Sequence, residues 1–247
     1  MNLIYILGTG SKWDDNELKY SLRSVEKYLS GFEKVILVGE RPDWIVNVEH
    51  YYAPDFRHVK AGNVLMKIKA ACSVPNNDHF ILMNDDFYFT APTKASEIPL
   101  YFDKKLSDLE DKYKIGDVYG GTITRTKKYL MDYGYSTLNF EVHYPFPVQS
   151  MLMAHLLNID DFSGGYQARS LYGNMVTGGS KPFDFYNTKP MFKIDLKKDL
   201  KLTHQNKAES LHLINNTDMF SISDQWLEKE GKEMLQELFP VKSKYEI

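Results

Sequence analysis

The first hundred residues alternate between short unbroken apolar runs and longer stretches in which apolar positions return every three or four residues. "NLIYILG" (2–8), "KVILVG" (34–39), "IVNVEHYY" (45–52) and "HFILMN" (79–84) are of the first kind. Runs of this length predict buried strands. Between the first two runs, Leu18, Leu22, Val25 and Leu29 recur at helical spacing, with Lys19, Arg23 and Lys27 off the stripe. Asp14 stands where a helix cap would, Glu17 follows three residues later as in a capping box, and Gly31 ends the helix. "GNVLMKIKAAC" (62–72) predicts a second helix. Strand, helix, strand, strand, helix, strand is the order of an α/β fold: an open, mostly parallel sheet flanked by helices.

The later half is less regular. "IGDVYGGTITRTKKYL" (115–130) has strand character. "PFPVQSMLMAHLL" (145–157) reads as a helix opened by a proline turn, and "YQARSLYGNMV" (166–176) as another helix. "GGSKPFDFYNTKP" (178–190) reads as a loop. "SDQWLEKEGKEMLQELF" (223–239) reads as an amphipathic helix capped by Ser223 or Asp224. No repeat or low-complexity linker divides the chain. One domain over 1–247 is expected, with residues to about 110 as a donor half and 111–247 as an acceptor half with C-terminal helices.

Composition narrows the classes. Of 247 residues, 43% are hydrophobic and 14% aromatic, enough for a sizeable core. Thirty basic residues against 33 acidic ones give a net charge of -3, which disfavours a partner held mainly by nucleic-acid phosphates. A single cysteine, Cys72, excludes an internal disulfide and a thiolate zinc site. No apolar run approaches the roughly 20 residues of a membrane span, and "MNLIYILGTGSKWDD" reads as a strand, not a signal. A soluble cytoplasmic protein is expected.

In open α/β sheets ligands gather at the carboxyl ends of the strands. Gly8–Lys12, Gly39–Arg41 and Asn84–Asp86 all fall there. The Asp85–Asp86 pair follows a buried run directly, where one or two carboxylates can hold Mg²⁺ or Mn²⁺ against a substrate diphosphate. An acidic doublet in a turn is also commonly just solvated. "LGTGSKW" (7–13) lacks the full dinucleotide and P-loop signatures. It reads as a tight turn, or as a place where the backbone N–H groups of Gly8, Thr9 and Gly10 approach a nucleotide. His143, in a proline-rich turn, is a candidate general base or metal ligand, and equally a structural histidine. Asp184 is an alternative base.

"WDDNELKYSLRSVEKYLSGFEKVILVGERPDWI" (13–45) resembles a conserved block of the Stealth family of capsular-polysaccharide sugar-phosphate transferases. "FILMNDDFYF" is similar to the end of that block, and "VHYPFPV" more weakly to the next. The resemblance implies a GT-A-like framework that binds a nucleotide-diphosphate sugar. It places Asp14, Asp15, Asn16 and Glu17 near the donor, with Arg23 as a phosphate contact. It puts Asn84, Asp85 and Asp86 at the metal–diphosphate position, Asp85 and Asp86 as ligands and Asp86 catalytic, with His143 near the reacting centre. Arg23 on a solvated helix face, and Asp14 and Glu17 as a mere helix cap, remain equally open readings.

The leading expectation is a metal-dependent glycosyltransferase moving a sugar from a nucleotide sugar to a glycan or other hydroxyl acceptor. The alternatives are hexose-1-phosphate transfer and a non-catalytic sugar-binding module, in which "YGYSTLNF" (133–140) would stack on sugar rings. A fourth reading is a phage enzyme acting on modified DNA bases through "TRTKKYL" (124–130) and Lys197–Lys198, disfavoured by the net charge.

Overall fold

A computed structural model describes residues 1–56, 60–110, 113, 118–158, 165–177, 183–184, 191–194, 214–222 and 231–247. In chain order the elements of its first half are β1 (Asn2–Leu7), α1 (Asn16–Tyr28), β2 (Leu29–Ser30), β3 (Val35–Gly39), β4 (Glu49–Tyr51), α2 (Lys60–Cys72), β5 (His79–Met83), β6 (Phe87–Phe89), β7 (Thr93–Lys94), β8 (Tyr101–Phe102) and α3 (Leu106–Glu110). The second half contributes α4 (Val118–Asp132), β9 (Phe146–Gln149), α5 (Ser150–Leu156), α6 (Ala168–Val176), β10 (Phe183–Asp184), β11 (Met191–Ile194), β12 (Met219–Ile222) and α7 (Lys232–Leu238).

The central sheet has the order β4-β3-β1-β5-β9. Its first four strands are parallel and β9 runs antiparallel to β5. This is the mostly parallel α/β sheet that the strand–helix alternation predicts. Alternate side chains of β1 enter two cores. Leu3, Tyr5 and Leu7 meet Leu18, Leu22 and Val25 of α1, whereas Ile4 packs with Leu65 and Ile68 of α2 and with α5 and α6. Both faces are thus covered, which is why these strands carry no polar alternation. Gly39 closes β3 at φ 120°, and a Cβ there would lie 1.9 Å from the Leu7 carbonyl oxygen. Only glycine lets the ends of β1 and β3 come this close.

Several expectations are corrected. Residues 118–132 form α4, not a strand. The β-branched residues misled: Thr122, Thr126 and Leu130 are buried at helical spacing, and the Thr122 and Thr126 hydroxyls donate to Tyr119 O and Thr122 O, each at 2.7 Å. Residues 146–149 form β9, and the helix starts only at Ser150; Pro147 is accommodated because β9 is an edge strand. The third strand shrinks to Glu49–Tyr51. Within 178–190 only Phe183–Asp184 is described, and it pairs in parallel with Tyr101–Phe102. Of the C-terminal helix, Lys232–Leu238 is seen, and the expected caps Ser223 and Asp224 lie outside the described residues. No described helix is long and apolar enough to cross a membrane.

Candidate functional site

The site forms where β5 ends. Asn84, Asp85 and Asp86 make the turn into β6, whose Phe87, Tyr88 and Phe89 are fully buried and anchor it. Two serines of α1 hold that anchor. Ser21 Oγ donates to Phe87 O at 2.7 Å, and Phe89 N donates to Ser24 Oγ at 3.0 Å. The "YSLRS" helix and the acidic turn are therefore hydrogen-bonded neighbours. Periodicity marks Leu18, Leu22 and Val25 on this helix and carries no sign of its buried hydroxyls.

Burial, then the neighbouring charges of Asp86, Glu17 and Asp15, push the Asp85 carboxyl well above the usual carboxylate range. Asp15 is pushed up to about 6 by burial and then by Glu17 and Asp14. Asp86 Oδ2 lies 3.3 Å from His143 Nδ1, close enough for charge attraction but not aligned as a hydrogen bond. The Phe87 ring stands edge-on to the His143 ring at 5.7 Å and helps to fix its plane. One oxygen each of Asp15, Glu17 and Asp86 is buried without a hydrogen-bond partner. Such orphaned carboxylate oxygens are costly unless a cation or a donor meets them.

These features fit a hard divalent cation in part. Among the described residues no three His, Cys, Asp or Glu side chains converge as a complete protein-made cage. Asp85 and Asp86 offer two carboxylates, and substrate phosphate oxygens with water would have to supply the rest, as is usual for Mg²⁺.

The entry to α1 differs from the expected capping box. Asp14 and Asp15 both adopt left-handed backbone (φ 52° and 55°), and Asp15, at the N-cap, makes no side-chain capping bond. Ser11 does the work instead. Its hydroxyl accepts from Trp13 N at 3.1 Å and Asp15 N at 2.8 Å, and donates to Glu17 Oε1 at 2.8 Å. Two consecutive strained aspartates therefore hang on one hydroxyl. Ser11→Ala is expected to cost about 1–2 kcal/mol, read as a lowered thermal midpoint, and to loosen Asp15 and Glu17. An unchanged midpoint would remove Ser11 from this role.

Other expected donor contacts are occupied within the chain. Asn16 Nδ2 donates to Trp13 O at 2.5 Å. Thr9 N and Thr9 Oγ1 donate to Asp55 Oδ2 at 3.1 and 3.4 Å, and Asp55 is paired with the buried Lys67. Gly8 permits that approach, since a Cβ there would stand 2.7 Å from Asp55 Oδ2, while Gly10 lies in the open. Arg23 faces away from the acidic turn. It donates to both Glu246 carboxylate oxygens at 2.8 and 2.6 Å and to Phe239 O at 2.8 Å, tying α1 to the C-terminal segment. Asp184 is described as backbone only, in β10.

A residue that pattern reading missed completes the group. Arg169, on α6 and 7% exposed, donates through Nη2 to Asn84 Oδ1 at 2.8 Å and through Nη1 to Val142 O at 3.3 Å. It thus grips the acidic turn and the segment bearing His143 together. Glu141 accepts the N–H groups of Arg169 and Ser170 at 2.9 and 3.4 Å, at the start of α6. Burial raises the Glu141 carboxyl, against the pull of the Arg169 charge; burial lowers the Arg169 guanidinium from its ordinary value. An arginine on the inward face of an apolar helix was the available signal, because an arginine is almost never fully buried without partners.

No family model matches the chain. It is similar to the capsular polysaccharide phosphotransferase fcs1 of Haemophilus influenzae, with 31% identity over 100 residues, covering 34% of this chain. The match spans only 26% of that protein, about a quarter of its length.

Proposed function

We propose that the protein is a transferase that moves a phosphate-linked sugar from a nucleotide-diphosphate sugar to a hydroxyl of a glycan or related acceptor. The observation that carries this reading is the acidic turn at the sheet's carboxyl edge, with an orphaned Asp86 oxygen and with His143 3.3 Å from Asp86. The similarity to a protein named as a capsular polysaccharide phosphotransferase favours transfer of the phosphate-bearing group over transfer of the bare sugar.

Asp85 and Asp86 would hold Mg²⁺ or Mn²⁺, and such an ion, when bound, would offset charge on the diphosphate and on the leaving nucleotide. Asp86 Oδ2 stands 3.3 Å from Nδ1 of His143 and the Phe87 ring packs edge-on to the imidazole, leaving Nε2 to take the proton from the acceptor hydroxyl. The acceptor oxygen bonds to the sugar-bearing phosphorus as the bond from that phosphorus to the bridging oxygen breaks. The nucleoside monophosphate leaves with that oxygen. Arg169 fixes the turn through Asn84 and the His143 segment through Val142 O, so carboxylates and imidazole keep one geometry.

The test is the identity of the released nucleotide. With Mn²⁺, a panel of nucleotide sugars and a set of glycan acceptors, the expected product is nucleoside monophosphate, followed by chromatography. Release of nucleoside diphosphate would replace this reading with glycosyl transfer. Saturable donor binding without either product would mark a binding module.

A further inference from the structure

A cavity of about 530 Å³ opens between α2, the first turn of α4 and the start of α6, and His143 lines it. Its size falls within the roughly 300–1,000 Å³ of small-molecule sites. One wall is apolar, made by Ile6, Val64 and Ile68, and facing groups include Tyr119 and Tyr166. Gln167 also lines it; the residue is 4% exposed, and its buried Nε2 amide faces the Tyr119 hydroxyl without a well-formed hydrogen bond. A buried donor so weakly satisfied beside a cavity gains when an occupant brings a better acceptor. The Arg169 guanidinium at the cavity is already engaged with Asn84 Oδ1 and Val142 O, and the carboxylate-bearing Glu141 lines the cavity beside it. Lys60, at the rim, is exposed and screened by solvent.

His143 therefore touches two different environments. One is the acidic turn through Asp86; the other is this apolar, amide-bearing cavity. If His143 takes the proton of the attacking hydroxyl, the molecule that owns the hydroxyl must reach it from outside the carboxylate cluster. We infer that this cavity is the acceptor site, and that it takes a neutral pyranose with an apolar C–H face against the aliphatic and tyrosine wall. Gln167 Nε2 donates to an oxygen of that ring, and one hydroxyl reaches His143. The inference rests on the transferase reading above and adds the acceptor's place and chemical class.

Binding without turnover separates the two. Saturation-transfer NMR on the full chain would use methyl glycosides of neutral hexoses and N-acetylhexosamines, with uridine diphosphate plus Mn²⁺ measured in parallel. At least one glycoside is expected to bind; Val64→Trp, which fills the cavity from α2, abolishes its signal. Gln167→Leu weakens it at least fivefold, and uridine diphosphate affinity stays within twofold in both variants. Should Val64→Trp fail to fold, Gln167→Leu decides. No glycoside binding, or loss of uridine diphosphate affinity in the cavity variants, would overturn the acceptor assignment. Glycoside binding as described, with no nucleotide released from any donor, would leave the cavity assignment standing and overturn the transferase reading alone.

Discussion

Asp85→Asn is expected to yield a protein that melts at a higher temperature and turns over far more slowly. Asp85 is hemmed in by protein, and Asp86, Glu17 and Asp15 add repulsion, so its carboxyl is raised in the folded state. The folded chain then binds the Asp85 proton more tightly than the unfolded chain does. Stability from this group is fully present below the unfolded value near 3.8 and is lost as the pH rises through the raised folded value. Asparagine keeps the shape and removes the charge, so the variant escapes that loss at neutral pH. In chelator at pH 7.5 its midpoint should exceed the native one by several degrees, at about 2–4 °C per kcal/mol for a chain of this size. Near pH 4 the gap should close. Asp15→Asn should follow the same sign over the window between 3.8 and about 6. Adding Mn²⁺ should reverse the order, because a ligand that binds the native state stabilises only the protein able to hold it. Turnover of Asp85→Asn and of Asp86→Asn should fall roughly 100-fold or more. A lower midpoint for Asp85→Asn, or full turnover in either variant, would sink the idea that this cluster is strained for chemistry.

That trade between stability and charge was half visible in the sequence. The acidic doublet could be placed at a sheet edge because β1, β3 and β5 are continuous apolar runs, and burial on both faces leaves that signature in the chain. The groups that make the doublet unusual were not visible. Asp14 and Glu17 read as a helix cap because capping is a local pattern, and the left-handed turn that brings Asp15 and Glu17 in depends on Ser11. The antiparallel pairing of Phe87–Phe89 with β12 joins segments more than a hundred residues apart, and no period in a single chain encodes such a partner. Residues 118–132 failed for the opposite reason. Thr, Ile and Tyr carry a local strand preference there, and packing on the neighbouring helices α3 and α6 overrode it.

Arg169 joins the acidic turn to the segment bearing His143 and can be tested for its part in the fold and in the chemistry. Arg169→Met removes the positive charge near Glu141 and frees Asn84 and Val142 O from their donor. Losing both hydrogen bonds donated by the buried guanidinium costs roughly 2–6 kcal/mol in all, so a midpoint lower by several degrees or more is expected. Turnover would fall as well, though lost folding alone could cause that. The double variant Arg169→Met/Glu141→Gln separates the causes. With both charges gone, the part of the loss that comes from leaving the Glu141 carboxylate without the nearby positive charge should return. The Asn84 side chain, however, stays without the 2.8 Å bond that fixes the acidic turn, and the His143 segment stays without its grip at Val142 O. Turnover should therefore remain low in a protein that folds well, with the larger loss in kcat than in KM, since the geometry of the reacting groups, not the binding surface, has been released. If activity recovers together with the melting temperature, Arg169 serves the fold alone, and the acidic turn and His143 hold their places without it.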